Sequence, residues 1–132
     1  MQFKHFLLNL LQSLDKTIKI DEAYPYPMLL IRFIAREKGL AGSDNMEQAK
    51  IEEILETLAE LENDGMSHMD FIDHLDKILS DMERQLVVNG GEFMVGQKMS
   101  MADLGVFVVL NQMKARSRAN FPYLNALYIK LY

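Results

Sequence analysis

At 132 residues, with 49% hydrophobic and 25% charged side chains, the chain is sized for one globular domain with a modest core. Its net charge of -5, without a long lysine or arginine cluster, excludes the usual electrostatic footprint of a nucleic-acid binder or of a protein held on an anionic membrane. With no cysteine there is no disulfide framework, thiol nucleophile or thiolate metal site, which fits a reducing compartment, so a cytoplasmic location is expected.

The amino-terminal stretch MQFKHFLLNLLQSLDK is interrupted by polar residues too often to span a membrane and has no cleavable apolar region, so no targeting segment is expected. Phe3, Phe6, Leu7, Leu10, Leu11 and Leu14 recur at helical spacing, which predicts an amphipathic helix covering a neighbouring apolar surface. Thr17 to Ile20 reads as a short strand. Pro27 suits the first turn of a second helix, running through Leu30, Ile31, Phe33 and Ile34 to a stop at Gly39, with Leu40 closing the end hydrophobically.

Ser43 or Asp44 can cap a third helix whose apolar stripe is Ile51, Ile54, Leu55, Leu58 and Leu61, with Glu47, Glu52, Glu53, Glu56 and Glu60 largely elsewhere. Asn63 to Ser67 reads as a turn into an antiparallel helix carrying Ile72, Leu75, Leu79, Met82 and Leu86 and ending near Asn89, Gly90 and Gly91.

The stretch GGEFMVGQKMSMADLGVFVVL then holds a complete helix-start signal. Ser100 is the N-cap, Asp103 takes the capping-box position, and Met99 and Leu104 stand at the two places of a hydrophobic staple. Leu104 to Leu110 is apolar on nearly every side, which predicts a central, buried helix. The basic cluster Lys114, Arg116 and Arg118 suits a helix carboxyl end, and Phe121-Pro122 starts a last helix to Leu131.

From Met28 to Tyr132 the chain resembles the helical carboxyl-terminal domain of the glutathione transferases. It is most similar to the sigma class, which includes haematopoietic prostaglandin D synthases and S-crystallins. The residues that carry the resemblance are LLIRFIAREKGLAGSDNMEQAKIEEILETLAEL, FIDHLDKILSDMERQL, GGEFMVGQKMSMADLGVF and FPYLNALYIKLY, with FMVGQKMSMAD the most specific. The expected fold class is therefore all-α: a bundle of about five to six helices with little or no thioredoxin-like sheet. Residues 1–27 are expected to form a divergent leading segment and residues 28–132 the family's helical domain.

The resemblance implies glutathione transferase activity, with glutathione as co-substrate rather than a bound cofactor. In that family a catalytic Tyr follows the first strand, and a Glu/Gln-Ser pair holds the glutamyl end of glutathione. Here no Tyr stands near the start, and Tyr26-Pro27 occupies the place of that Ser. The turn at Gly65 is also shorter than the family's, and the chain looks trimmed before the final helices. The expectation is a protein lacking a complete glutathione site, weakly active or inactive alone. The alternative is a non-catalytic dimerisation, scaffold or crystallin-like module, and the residues leave activity open.

Glu60 matches a position from which a sigma-class subunit reaches glutathione bound in its dimer partner, with Glu56 and Glu52 stacked beside it at helical spacing. It is the one candidate binding residue, set against an ordinary solvated glutamate face. No catalytic residue is assigned, and His5, His68 and His74 lack the spacing of a metal site. Tyr24 and Tyr26 sit in surroundings unlike the family's catalytic tyrosine. Expected partners are a second copy of the chain or another protein, and glutathione, with neither nucleic acid nor membrane.

Overall fold

The computed structural model describes residues 2–19, 25–62, 65–113 and 121–131. These form six α-helices: α1 Phe3–Leu14, α2 Pro27–Glu37, α3 Asn45–Ala59, α4 His68–Val88, α5 Met101–Met113 and α6 Pro122–Leu131. A single 3₁₀ turn, Glu60–Glu62, extends α3 and buries Leu61. The described residues contain no strand.

The all-round apolar character of α5 puts it in the centre. Met101 to Val106 and Val108 to Leu110 are buried, and only Phe107 is half-buried, stacked on Tyr128 of α6 at 5.2 Å. Around it α3 and α1 pack on one side and α6 on another, while α4 lies against α6. At the crossing of α1, α3 and α5 stands Gly105, where an added Cβ would come within 2.9 Å of Leu55 Cδ2 and 3.3 Å of Phe3 Cζ. The missing side chain lets the three helices approach, so one core runs from Phe3 to Leu127.

α1 docks as its spacing predicts, although its buried set is Phe3, Leu7, Leu8 and Leu11, and Leu14 stays 64% exposed. The expected strand from Thr17 to Ile20 is corrected over the described residues 17–19. Asp15 Oδ1 accepts from the Thr17 N–H at 3.0 Å and from the Thr17 hydroxyl at 2.6 Å, and the Ile18 N–H donates to the Asp15 carbonyl. That local turn satisfies donors which a strand would have had to give to a neighbour. Ile20 and Tyr24, like the basic cluster Lys114, Arg116 and Arg118, fall outside the described residues.

Helix ends follow the sequence signals closely. α2 closes with the paired bonds of a Schellman end: the Leu40 N–H donates to the Ala35 carbonyl at 2.8 Å and the Gly39 N–H to the Arg36 carbonyl at 3.4 Å, with Gly39 at a φ of 70°. α4 ends in the same way, through Gly91 to Leu86 and Gly90 to Val87. Asp44, rather than Ser43, caps α3 by accepting the Glu47 N–H at 2.9 Å, and Glu47 reaches back to the Ser43 N–H at 2.9 Å.

Candidate functional site

Glu60 is the first residue of the 3₁₀ turn, and its side chain is 61% exposed. Its Oε2 lies 3.7 Å from His74 Nε2 on α4. The structure separates it electrostatically from the two glutamates below it. Arg32 of α2 takes both, with Nε at 3.4 Å from Glu52 Oε1 and one terminal nitrogen at 3.2 Å from Glu56 Oε1. The glutamate ladder legible in the sequence is thus an α2–α3 tie at two rungs and an α3–α4 contact at the third.

Among the other sequence candidates, His68 is exposed, whereas His5 and His74 are half-buried. The described residues include no cluster of three His, Cys, Asp or Glu side chains able to hold a metal. Tyr26 is exposed at the start of α2.

Asp103 is wholly buried, and its carboxylate knits two segments together. Oδ2 accepts the Ser100 N–H at 2.9 Å and the Ser100 hydroxyl at 3.4 Å, while Oδ1 accepts the Met94 N–H at 2.9 Å. Burial pushes this carboxyl above its ordinary range, outweighing the hydrogen bonds from Met94 and Ser100 that pull the other way. The half of the capping box that runs from side chain to Ser100 is formed; the Asp103 N–H donates to the Ser100 carbonyl at 3.1 Å. The carboxylate is committed to holding the turn before α5.

Two adjoining clefts escaped the sequence reading. One, about 550 Å³, lies between the start of α3, the end of α4 and the 94–96 turn; Lys50 and Arg84 meet Glu47, Glu53, Ile54 and Val88 there. The other, about 420 Å³, is lined by Ser43, Glu47, Asn89, Gly96, Gln97 and Lys98. Asn89 shapes both by donating from Nδ2 to the carbonyls of Phe93 at 2.8 Å and Gly96 at 2.9 Å. The only sequence signal for them was the glycine-rich turn itself, since cleft walls come from residues some forty positions apart on α3 and α4.

Two further carboxylates cap helices from a distance. Glu62 Oε1 accepts the Lys4 N–H at the start of α1 at 2.6 Å. Glu83 of α4 accepts the Tyr123 N–H at 2.7 Å and the Leu124 N–H at 3.0 Å, closing the start of α6.

This arrangement, a buried apolar helix entered through a Ser-x-x-Asp turn and wrapped by antiparallel helices, defines a helical domain of the glutathione transferase type. Residues 45–131 match the family profile described as glutathione S-transferase, C-terminal domain. S-crystallin 2 of Enteroctopus dofleini is 30% identical over 145 aligned positions, which take in 87% of this chain and 67% of that protein. The alignment is longer than the chain's 132 residues, so within the matched region the relative carries segments that this chain lacks.

Among solved structures, the glutathione S-transferase from Ascaris lumbricoides overlaps 98% of this chain and 84% of its own, with a TM-score of 0.69 at 17% identity. NaGST-2 overlaps 80% of this chain with a TM-score of 0.65, also at 17% identity, and there this chain spans 61% of the longer one. The chain belongs to the glutathione S-transferase family.

Proposed function

We propose that this chain is a sigma-type member of the family without a complete glutathione site, inactive or weakly active by itself. The observation that carries the reading is the seating of α1. The apolar face of the central helix is the surface this domain has to offer an apolar electrophile, and it is closed by the chain's own Phe3 at Gly105. Two facts lend support. Arg32 is already taken up by Glu52 and Glu56, and a relative named S-crystallin 2 carries segments absent here. Conjugation needs a donor for the thiolate, a cradle for the tripeptide and an apolar shelf together.

On this reading residues 28–132 are the family's helical domain, and residues 1–27 are a divergent leading segment whose helix covers the apolar face of that domain. A cytoplasmic location fits the cysteine-free composition. The second reading, a non-catalytic dimerisation, scaffold or crystallin-like module, is favoured by the likeness to an S-crystallin.

Calorimetric titration of reduced glutathione, paired with a turnover assay using 1-chloro-2,4-dinitrobenzene, tests the proposal. No saturable heat and no turnover above the uncatalysed rate are expected. Saturable binding with turnover would overturn it and make Glu60→Ala the next variant, because Glu60 is the residue through which a partner subunit would reach the tripeptide.

A further inference from the structure

α3 leans on α5 and α4 on α6, and the two touch each other little; α4 meets the chain of α3 mainly at the 3₁₀ turn. They therefore splay towards the start of α3 and the end of α4, where the cleft of about 550 Å³ opens. Small-molecule sites commonly have about 300–1,000 Å³. The floor of this one is apolar and fixed. Ile54, Met94 and Val95 are buried in it, and the 94–96 turn is held by Asp103 at Met94 and by Asn89 at Gly96, with the Glu47 carboxylate packed over Gly96.

The walls carry their chemistry in a fixed order. On α3, Met46, Lys50 and Glu53 succeed one another at about one turn; on the antiparallel α4 the same direction reads Val88, Arg84, Asp81. Met46 and Val88 are exposed apolar groups at the open end, 66% and 83% accessible. Most charges near the cleft are already engaged: Asp44 caps α3, Glu47 accepts from Ser43, and Arg84 pairs with Asp81. Lys50 and Glu53 form no ion pair among the described residues. From the apolar end inward, the cleft thus offers one uncommitted cation and then one uncommitted carboxylate.

We propose that this cleft binds a single-chain amphiphile with a zwitterionic phosphoethanolamine head. The alkyl chain lies over Met46 and Val88, the phosphate meets Lys50 and Arg84, and the ammonium meets Glu53. Met46 to Lys50 is about 6 Å of helical rise and Lys50 to Glu53 about 4.5 Å, a step that the two-carbon link between phosphate and ammonium spans. A simple anion would face Glu53 and a simple cation would face Lys50, so only a head with both signs in this order satisfies the pair. No aromatic side chain lines the cleft to cage a quaternary ammonium, whereas a primary one donates charge-assisted hydrogen bonds to a carboxylate.

The test is a titration of the whole chain with octyl phosphoethanolamine below its micelle concentration, followed by backbone amide shifts, beside octyl phosphate and octylamine. Expected is saturable movement at residues 46–54, 84–89 and 94–97, with each singly charged comparator binding at least tenfold more weakly. Lys50→Glu and Glu53→Lys, both at exposed positions, should each weaken the zwitterion by at least tenfold. Should either variant disturb α3, the comparator ligands on the wild type give the same answer. No saturable movement, movement confined to residues away from the cleft, equal binding of octyl phosphate, or indifference to Lys50→Glu would each overturn the proposal. Co-sedimentation with phosphatidylethanolamine vesicles that Lys50→Glu abolishes would transfer the head to a bilayer and overturn the single-molecule site.

Discussion

Asp103 and Met94, nine residues apart, are joined inside the core by a single 2.9 Å hydrogen bond from the Met94 N–H to Oδ1. The same carboxylate holds the Ser100 N–H, so one side chain fixes both the turn before α5 and the first turn of the helix. Asp103→Ala removes the acceptor of the Met94 and Ser100 backbone N–H groups in a buried setting, at about 1–3 kcal/mol for each group. Urea unfolding at neutral pH should show a loss of roughly 2–4 kcal/mol, since partial relaxation recovers some of the sum. A loss below about 1 kcal/mol would mean that the turn refits around the gap.

The pH dependence of that carboxyl has a definite sign. Burial raises its folded value above 3.8, so between 3.8 and that raised value the folded chain holds a proton which the unfolded chain has released. Its contribution to stability therefore falls as pH rises through that window. Asp15 acts oppositely: hydrogen bonds from Lys38 and Thr17 hold its carboxyl well below the usual range, so its contribution is present above 3.8 and is lost as pH falls. The exposed Asp15 pair is screened by solvent. Comparing the wild type with Asp103→Asn by urea midpoints from about pH 4 to 7 isolates the buried group. The wild type should lose ground relative to the variant as pH rises, and parallel curves would contradict the assignment.

Glu83 governs the start of α6 from another helix. Glu83→Ala removes the acceptor for the Tyr123 and Leu124 N–H groups together with a negative charge at a helix N-terminus, costing about 1–2 kcal/mol. The loss should be local. Carbon chemical shifts of Tyr123 and Leu124 should move towards coil values while those of α3 hold still, and Glu83→Gln should retain part of the cap.

Gly105 sets how closely α1 can approach. Gly105→Val places branched carbons against Leu55, Leu58 and Phe3, where even one added carbon meets neighbours at 2.9–3.3 Å. Overpacking of this kind costs about 1–3 kcal/mol, more than a better helix former returns at this position. The unfolding midpoint should drop, and limited proteolysis should cut first between α1 and α2. A more stable variant would show that α1 floats on the core.

Local chemistry explains what the sequence disclosed. Helix periodicity, Gly39, Gly90 and Gly91 at helix ends, and the Ser100–Asp103 box act within a few residues of themselves, so the ends of α2 and α4 and the start of α5 could be read directly. The strand expected at Thr17 does not form over residues 17–19 because Asp15 closes a local turn on the Thr17 and Ile18 donors. The caps by Glu83 and Glu62 lie 40 and 58 residues from the groups they satisfy, and nothing in either neighbourhood distinguishes them from solvated glutamates. The glutamates of α3 were legible as a ladder. That Arg32 would occupy two rungs was not, because its reach depends on how α2 leans on α3.

The Schellman end of α2 has one further effect, through the carbonyl it leaves free. Leu40 turns its oxygen to the Met101 N–H at 2.8 Å, so the first amide of the central helix is bonded to a residue far earlier in the chain. That single proton is sheltered only while the two halves of the chain stay together. Its exchange with deuterated solvent is thus a built-in clock for their separation, distinguishable from fraying at either end of the molecule.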